Sequence, residues 1–264
     1  MRMRFCPLYS GSSGNALLVA AENTAILVDA GLPGRTVTDA LAAAGVAPEQ
    51  LSGLLVTHEH SDHVKGVGVL ARRYHIPVYA NEGTWRGMLP LIGEIPPAQM
   101  RVFETERDFY LGGVNVLPFK TPHDANESVG FVFRCGAGKL SILTDAGHIT
   151  DHMLDAVAGS DLILIESNHD VDMLKAGPYP FPLKRRILGD NGHLSNDACG
   201  AALTTLYGRG VRRAVLGHLS RENNFESLAL ETVRAALRAS DIPDEAFALS
   251  IAHRDRIGEM FEID

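Results

Sequence analysis

The run Thr57-His58-Glu59-His60-Ser61-Asp62-His63 restricts the fold of this chain more than any other stretch. Four strong metal-ligand side chains, His58, His60, Asp62 and His63, fall within six residues. The apolar segment Leu51 to Val56 precedes them and reads as a buried strand, so the run sits at a strand end. Imidazole and carboxylate are the ligands that Zn²⁺ and related ions favour. Packing does not need four of them side by side. A structural zinc knuckle would use cysteines, and none is nearby. The remaining alternative is a solvated polar loop, and the ligand candidates downstream speak against it.

The chain has 264 residues, of which 45% are hydrophobic and 21% charged, enough for one large globular domain with an ample core. The formal net charge of −8 differs from the basic balance of a duplex-coating protein. It does not exclude a nuclease, because bound cations offset charge at the site itself. Cys6, Cys135 and Cys199 are scattered and odd in number, which predicts no disulfide framework and a reducing, cytoplasmic setting. No apolar run approaches the roughly 18 residues of a membrane span. Ser10-Gly-Ser-Ser-Gly14 interrupts any apolar segment after Arg2 and Arg4, so no export signal is read.

Along the chain, 16–20 and 25–29 read as paired strands, 35–44 as an Ala-rich helix ended by Gly45, and 64–74 as a helix. A strand is expected at 76–80, followed by a short helix capped by Asn81. Residues 100–144 look like a meander with turns at Gly112-Gly113 and Gly136-Ala-Gly138. Then come a helix over 149–157, a strand over 162–166, a Gly- and Pro-rich loop over 176–192, and a helix capped by Ser195. A strand over 211–216 and a helix over 225–239 lead to a closing hairpin of 247–252 with 257–263. Strands then helices in both halves suggest two packed sheets with helices outside, in one domain over 1–264.

Further polar residues stand at strand ends. Asp29 follows Ile26-Leu-Val, His123 and Asp124 follow 116–119, Asp145 ends 141–145, and His218 ends 214–218. Alone, an aspartate before glycine is more often a turn residue, and a histidine after a strand is more often a hydrogen-bonded surface or core histidine. In combination and in this order they resemble the five motifs of the metallo-β-lactamase superfamily, over nearly the whole chain. The resemblance implies an α/β fold, a four-layer αββα sandwich with a two-metal site at its edge. It implies that His58, His60 and His123 hold one ion, that Asp62, His63 and His218 hold the second, and that Asp145 bridges them. Asp29 would orient the cluster by hydrogen bonds. The ligands suit Zn or Mn, with Fe also possible.

Several phrases are similar to the nuclease branch that includes tRNase Z: Leu162-Ile-Leu-Ile-Glu166, Gly192-His-Leu-Ser-Asn196 and Leu216-Gly-His-Leu-Ser220-Arg221. By that resemblance Glu166 pairs with His193, which donates a proton to the leaving oxygen. Gly11-Ser-Ser-Gly-Asn-Ala16, Asn168-His-Asp, Gly177-Pro-Tyr-Pro180 and His218-Leu-Ser-Arg-Glu-Asn-Asn224 resemble the YycJ/WalJ group within it. That group implies a 5′→3′ exonuclease acting on DNA ends. No long insertion separates the Asp145 and His218 motifs and no tRNA-binding arm is evident, which argues against RNase J-like and tRNA-processing activities.

The chemistry is coherent with those roles. Two divalent ions about 3.5–4 Å apart can hold a bridging hydroxide and clamp an in-line displacement. The leaving 3′-oxygen is strongly basic, so a proton donor matters, and His193 oriented by Glu166 suits the task. Asp62 joins that pair as a candidate catalytic residue. For the substrate, Ser12, Ser13 and Asn15 of the Ser10–Asn15 turn could meet a phosphate, as could Lys184 and Arg185 of the basic run 184–186, and Asn223. Alternatives are an ordinary tight turn and a solvated charge run. A hydrolase of small esters, thioesters or cyclic nucleotides on the same metals is the second functional reading, and a non-catalytic metal-bound sensor the third. Oligomeric state is not legible.

Overall fold

A computed structural model describes residues 2–264; Met1, the first residue of the expected domain, lies outside them. The N-terminal half builds one sheet from β1 (Met3–Tyr9), β2 (Ala16–Ala21), β3 (Thr24–Val28), β4 (Leu51–Leu55), β5 (Val78–Ala80) and β6 (Met100–Val102). A second sheet follows from β7 (Phe109–Leu111), β8 (Val114–Lys120), β9 (Val129–Cys135), β10 (Gly138–Leu143), β11 (Leu162–Glu166), β12 (Arg213–Gly217) and β13 (Ala248–Ile251). The last strand, β14 (Phe261–Ile263), returns to the first sheet beside β1.

The strands alternate between two cores because successive side chains point to opposite faces. In β3, Ile26 and Val28 face the second sheet, while Leu27 faces the helices outside. In β11, Leu162 and Leu164 point between the sheets, and Ile163 and Ile165 point to the opposite helical layer. With both faces covered, these strands read as continuous apolar runs rather than alternating ones. The inter-sheet layer is closed by Phe5, Phe131 and Phe133, all fully buried. The outer layers pack Leu41 and Leu70 on one side and Leu203, Leu206 and Val233 on the other. Each such side chain contributes about 1.5–3 kcal/mol. The result is the expected four-layer αββα arrangement. Among the described residues no helix is long and apolar enough to cross a membrane.

Strand direction decides where the site lies. β3, β4, β5 and β6 run parallel, as do β10, β11, β12 and β13, so their carboxyl ends gather the residues that follow them. Ligand sites in open α/β sheets form at such carboxyl ends.

The structure corrects several local expectations. The closing hairpin does not form: β13 lies parallel to β12 in the second sheet, and β14 lies antiparallel to β1 in the first. Two apolar runs look alike in sequence, but each sheet had an edge to cover and the nine residues between them cross over. Met100–Val102 leaves the expected meander to pair with β5. The 176–192 loop contains a helix, Phe181–Ile187, with Pro182 in its first turn, where proline is tolerated. The helix expected over 64–74 is split into Ser61–Val64 and Val67–Tyr74. The break falls at Gly66, where a β-carbon would come within 2.4 Å of the Leu32 carbonyl oxygen. The caps follow the sequence: Asn81 Oδ1 accepts from the Thr84 amide at 2.8 Å, and Ser195 Oγ from Ala198 at 3.2 Å.

Candidate metal centre

Three residues beyond strand ends adopt left-handed backbone conformations that side chains other than glycine rarely take. Asp29, Asp145 and His218 have φ of 60°, 57° and 54°. Such conformations cost on the order of 1–3 kcal/mol each and persist where the surroundings over-determine them. All three are buried; Asp145 and His218 join the donor cluster, and Asp29 braces it from behind through His63.

The run from Thr57 is fixed by Asp29. Its Oδ1 accepts from the Thr57 amide at 2.9 Å, and its Oδ2 from Thr57 Oγ and from His63 Nδ1, at 2.9 and 2.8 Å. His58 Nδ1 lies 3.0 Å from Thr57 Oγ. Both rings therefore turn their Nε2 inward. Gly31 makes room for this: a β-carbon there would fall 1.6 Å from the Asp62 carbonyl oxygen.

Two groups of donors result. His58 Nε2, His60 Nδ1 and His123 Nε2 converge, with His60 Nδ1 at 3.1 and 3.2 Å from the other two. His123 is held by donation from Nδ1 to the Gly192 carbonyl at 2.9 Å. Asp62 Oδ2 lies 3.6 Å from His63 Nε2 and 3.5 Å from His218 Nε2. Asp145 stands between the groups: Oδ2 is 3.4 Å from His63 Nε2, and Oδ1 is 3.8 Å from His123 Nε2. Asp145 Oδ2 is buried without a hydrogen-bond partner among the described residues. An orphaned buried carboxylate oxygen is costly unless a cation meets it. Clustered imidazole nitrogens and carboxylates are what a divalent ion needs, so the residues present fit metal ions.

Glu166 ends β11 fully buried and makes four bonds. Oε1 accepts from His193 Nδ1 and from His218 Nδ1, both at 2.8 Å, and Oε2 accepts from the amides of Ala146 and Leu194 at 3.0 and 3.2 Å. The family resemblance pairs Glu166 with His193; the bond to His218 is an addition that the strand register supplies. Burial alone would raise the Glu166 pKa, but the adjacent His193 and His218 hold it well below the usual carboxylate range. Burial alone would lower that of His193, yet Glu166 outweighs it and the net direction is upward. The pair thus favours a charged imidazole whose Nε2 is left for exchange.

A cleft of about 310 Å³ opens on this centre, lined by Ser12, His60, Ser61, Asp62, Asp145, Arg186 and His193. The other expected substrate residues fall elsewhere. Ser13 is exposed at the turn tip beside Ser12. Asn15 is buried and braces the turn, accepting from the Gly11 amide at 3.0 Å, with Nδ2 3.1 Å from His63 Nε2. Lys184 donates to the Lys175 carbonyl at 2.7 Å, and Arg185 is exposed on the same helix; neither lines the cleft. Asn223 is fully buried and donates to Ser220 Oγ at 3.3 Å. The residues missed in sequence are Arg186 as the cleft-facing member of 184–186, Asp124 as its partner, and Thr57 as a brace. His169 stays off the centre: burial pulls its pKa down to about 4, and its backbone pairs with Ser195.

Comparison with known proteins agrees with this geometry. The family described as the metallo-beta-lactamase superfamily matches residues 9–218. Exodeoxyribonuclease YycJ of Bacillus anthracis is 40% identical over 263 residues, which cover 100% of this chain and 95% of that protein. Exodeoxyribonuclease WalJ of Streptococcus pneumoniae is 40% identical over 241 residues, 90% of each chain. The crystal structure of the metallo-β-lactamase fold protein YhfI from Bacillus subtilis superposes with a TM-score of 0.74, covering 99% of this chain and 100% of that one at 17% identity, a likeness of fold. This chain is a metal-dependent hydrolase of the metallo-β-lactamase superfamily and belongs within it to the YycJ/WalJ group.

Proposed function

We propose that the chain is a dinuclear phosphodiesterase that removes nucleotides from DNA ends in the 5′→3′ direction. One ion would be held by His58, His60 and His123, the other by Asp62, His63 and His218, with Asp145 available to both. Zn or Mn suits this set best, and Fe is compatible. When bound, the ions supply an activated water and neutralise phosphate charge. Asp62 lines the cleft and is kept ionised: burial opposes this, but His63 and His218 outweigh it. It orients the attacking water by accepting its hydrogen bond. His193 gives a proton from Nε2 to the leaving 3′-oxygen and regains one from solvent; Glu166 fixes its tautomer by accepting from Nδ1 and favours the recharged imidazole. Both sheets serve this one centre as a single domain.

The observation that carries the reading is the Glu166–His193 contact of 2.8 Å beside the cleft. A thioester expels a stable thiolate and does not need it; a 3′-alkoxide does. The names of the relatives, exodeoxyribonucleases, support the same substrate class. The test is metal-reconstituted protein with single- and double-stranded oligonucleotides labelled at either end, with and without 5′-phosphate. A mononucleotide ladder progressing from the 5′ end is expected. No cleavage with Zn, Mn or Fe, or faster turnover of small esters than of any oligonucleotide, overturns the reading.

A further inference from the structure

Among the described residues, Arg186 is the one lysine or arginine lining the cleft, beside His60, Asp62, Asp145 and His193. Its guanidinium is gripped by Asp124, which accepts from Nε and, at 3.1 Å, from Nη2. A guanidinium carries five N–H donors. The grip uses two, and the remaining three have no acceptor among the described residues. The side chain is still 51% exposed. Its position is tied to the reaction centre from both ends. Asp124 follows His123, and the Asp124 amide donates to the Asn191 carbonyl at 3.1 Å. The His193 amide donates to the Ile187 carbonyl at 3.0 Å, so one segment carries Arg186 and His193 at a set separation.

We infer that Arg186 binds a phosphate group of the nucleic-acid end, pre-oriented for that task by Asp124; this rests on the nuclease reading above. A planar fork suits a phosphate better than a lysine does, and fixing it beforehand reduces the ordering cost of binding. A plain surface ion pair would instead only tether the helix Phe181–Ile187 and contribute little.

The test measures anisotropy of a 3′-labelled, 5′-phosphorylated single-stranded oligonucleotide on metal-loaded protein carrying His193→Ala, which slows turnover. Measurements run from low to moderate salt, with metal content assayed in each variant. Adding Arg186→Ala should raise Kd about 10- to 100-fold. It should also make the slope of log K against log salt shallower by about 0.7, one single-strand phosphate. Arg186→Lys keeps charge without the fork and should fall between; Asp124→Asn should weaken binding less than Arg186→Ala. Unchanged Kd and slope for Arg186→Ala overturn the inference while leaving the nuclease reading intact. If that variant loses metal or fold, Arg186→Lys decides, and parental affinity there overturns the fork. Absence of oligonucleotide cleavage by the unsubstituted protein overturns the nuclease reading itself.

Discussion

The first sheet delivers its metal-binding candidates in one unbroken run, His58 to His63, whereas the second delivers His123, Asp145 and His218 from separate strand ends. The first group is positioned locally. One carboxylate, Asp29, holds both the start of the run and the His63 ring. The second group is positioned by strand register, and Glu166 braces His193 and His218 together. Damage to the first group should therefore stay local. Damage to the second should reach both proton delivery and metal binding, which is where substitutions can break or sharpen the contrast.

The largest effect is expected where the two groups meet. Asp145→Ala should lower the bound metal and reduce turnover by about 10³-fold or more, since metal assistance supplies several kcal/mol. Elemental analysis and oligonucleotide assays check this, and chelation of the unsubstituted protein should match it. His193→Ala should cost about 10²–10⁴ in rate while retaining metal. Equal loss of metal in that variant would mean that His193 acts as a ligand. On the other side, Asp29→Asn should weaken metal affinity or activity by about 10–100-fold, because it disturbs orientation and not coordination. Isothermal titration with Zn²⁺ reads this directly, and a failure of His193-dependent chemistry with metal affinity unchanged would contradict local positioning. Smallest is Ser195→Ala. It removes the cap of the helix Asn196–Gly208 and should cost about 1 kcal/mol of stability by denaturant melting, with turnover nearly preserved.

Much of this centre was legible because its chemistry is unusual for a core. Four such side chains side by side have no packing explanation, so His58 to His63 stand out as a run, whereas His123, Asp145 and His218, ambiguous singly, stand out only together and in order. The substrate side was less legible. Lys184, Arg185 and Arg186 are equivalent as letters, and which of them meets the cleft depends on the phase of a helix inside a segment that reads as loop. Asn15 and Asn223 looked like ligand-facing amides; both are buried, one bracing the Gly11 turn and the other bonded to Ser220. The final hairpin failed for a related reason: an apolar run specifies burial but not which of two sheet edges will bury it.

The sequence by itself determined the strand-end ligand candidates, the apolar runs that make two sheets covered on both faces, and the caps at Asn81 and Ser195. These follow from side-chain chemistry and from periodicity, which are local properties. Only the tertiary structure decided that Glu166 serves His218 as well as His193, that β13 and β14 part company, and that Arg186 turns to the cleft with Asp124. Each of those depends on the register and crossing of segments far apart in the chain, and no local property of the residues carries that information.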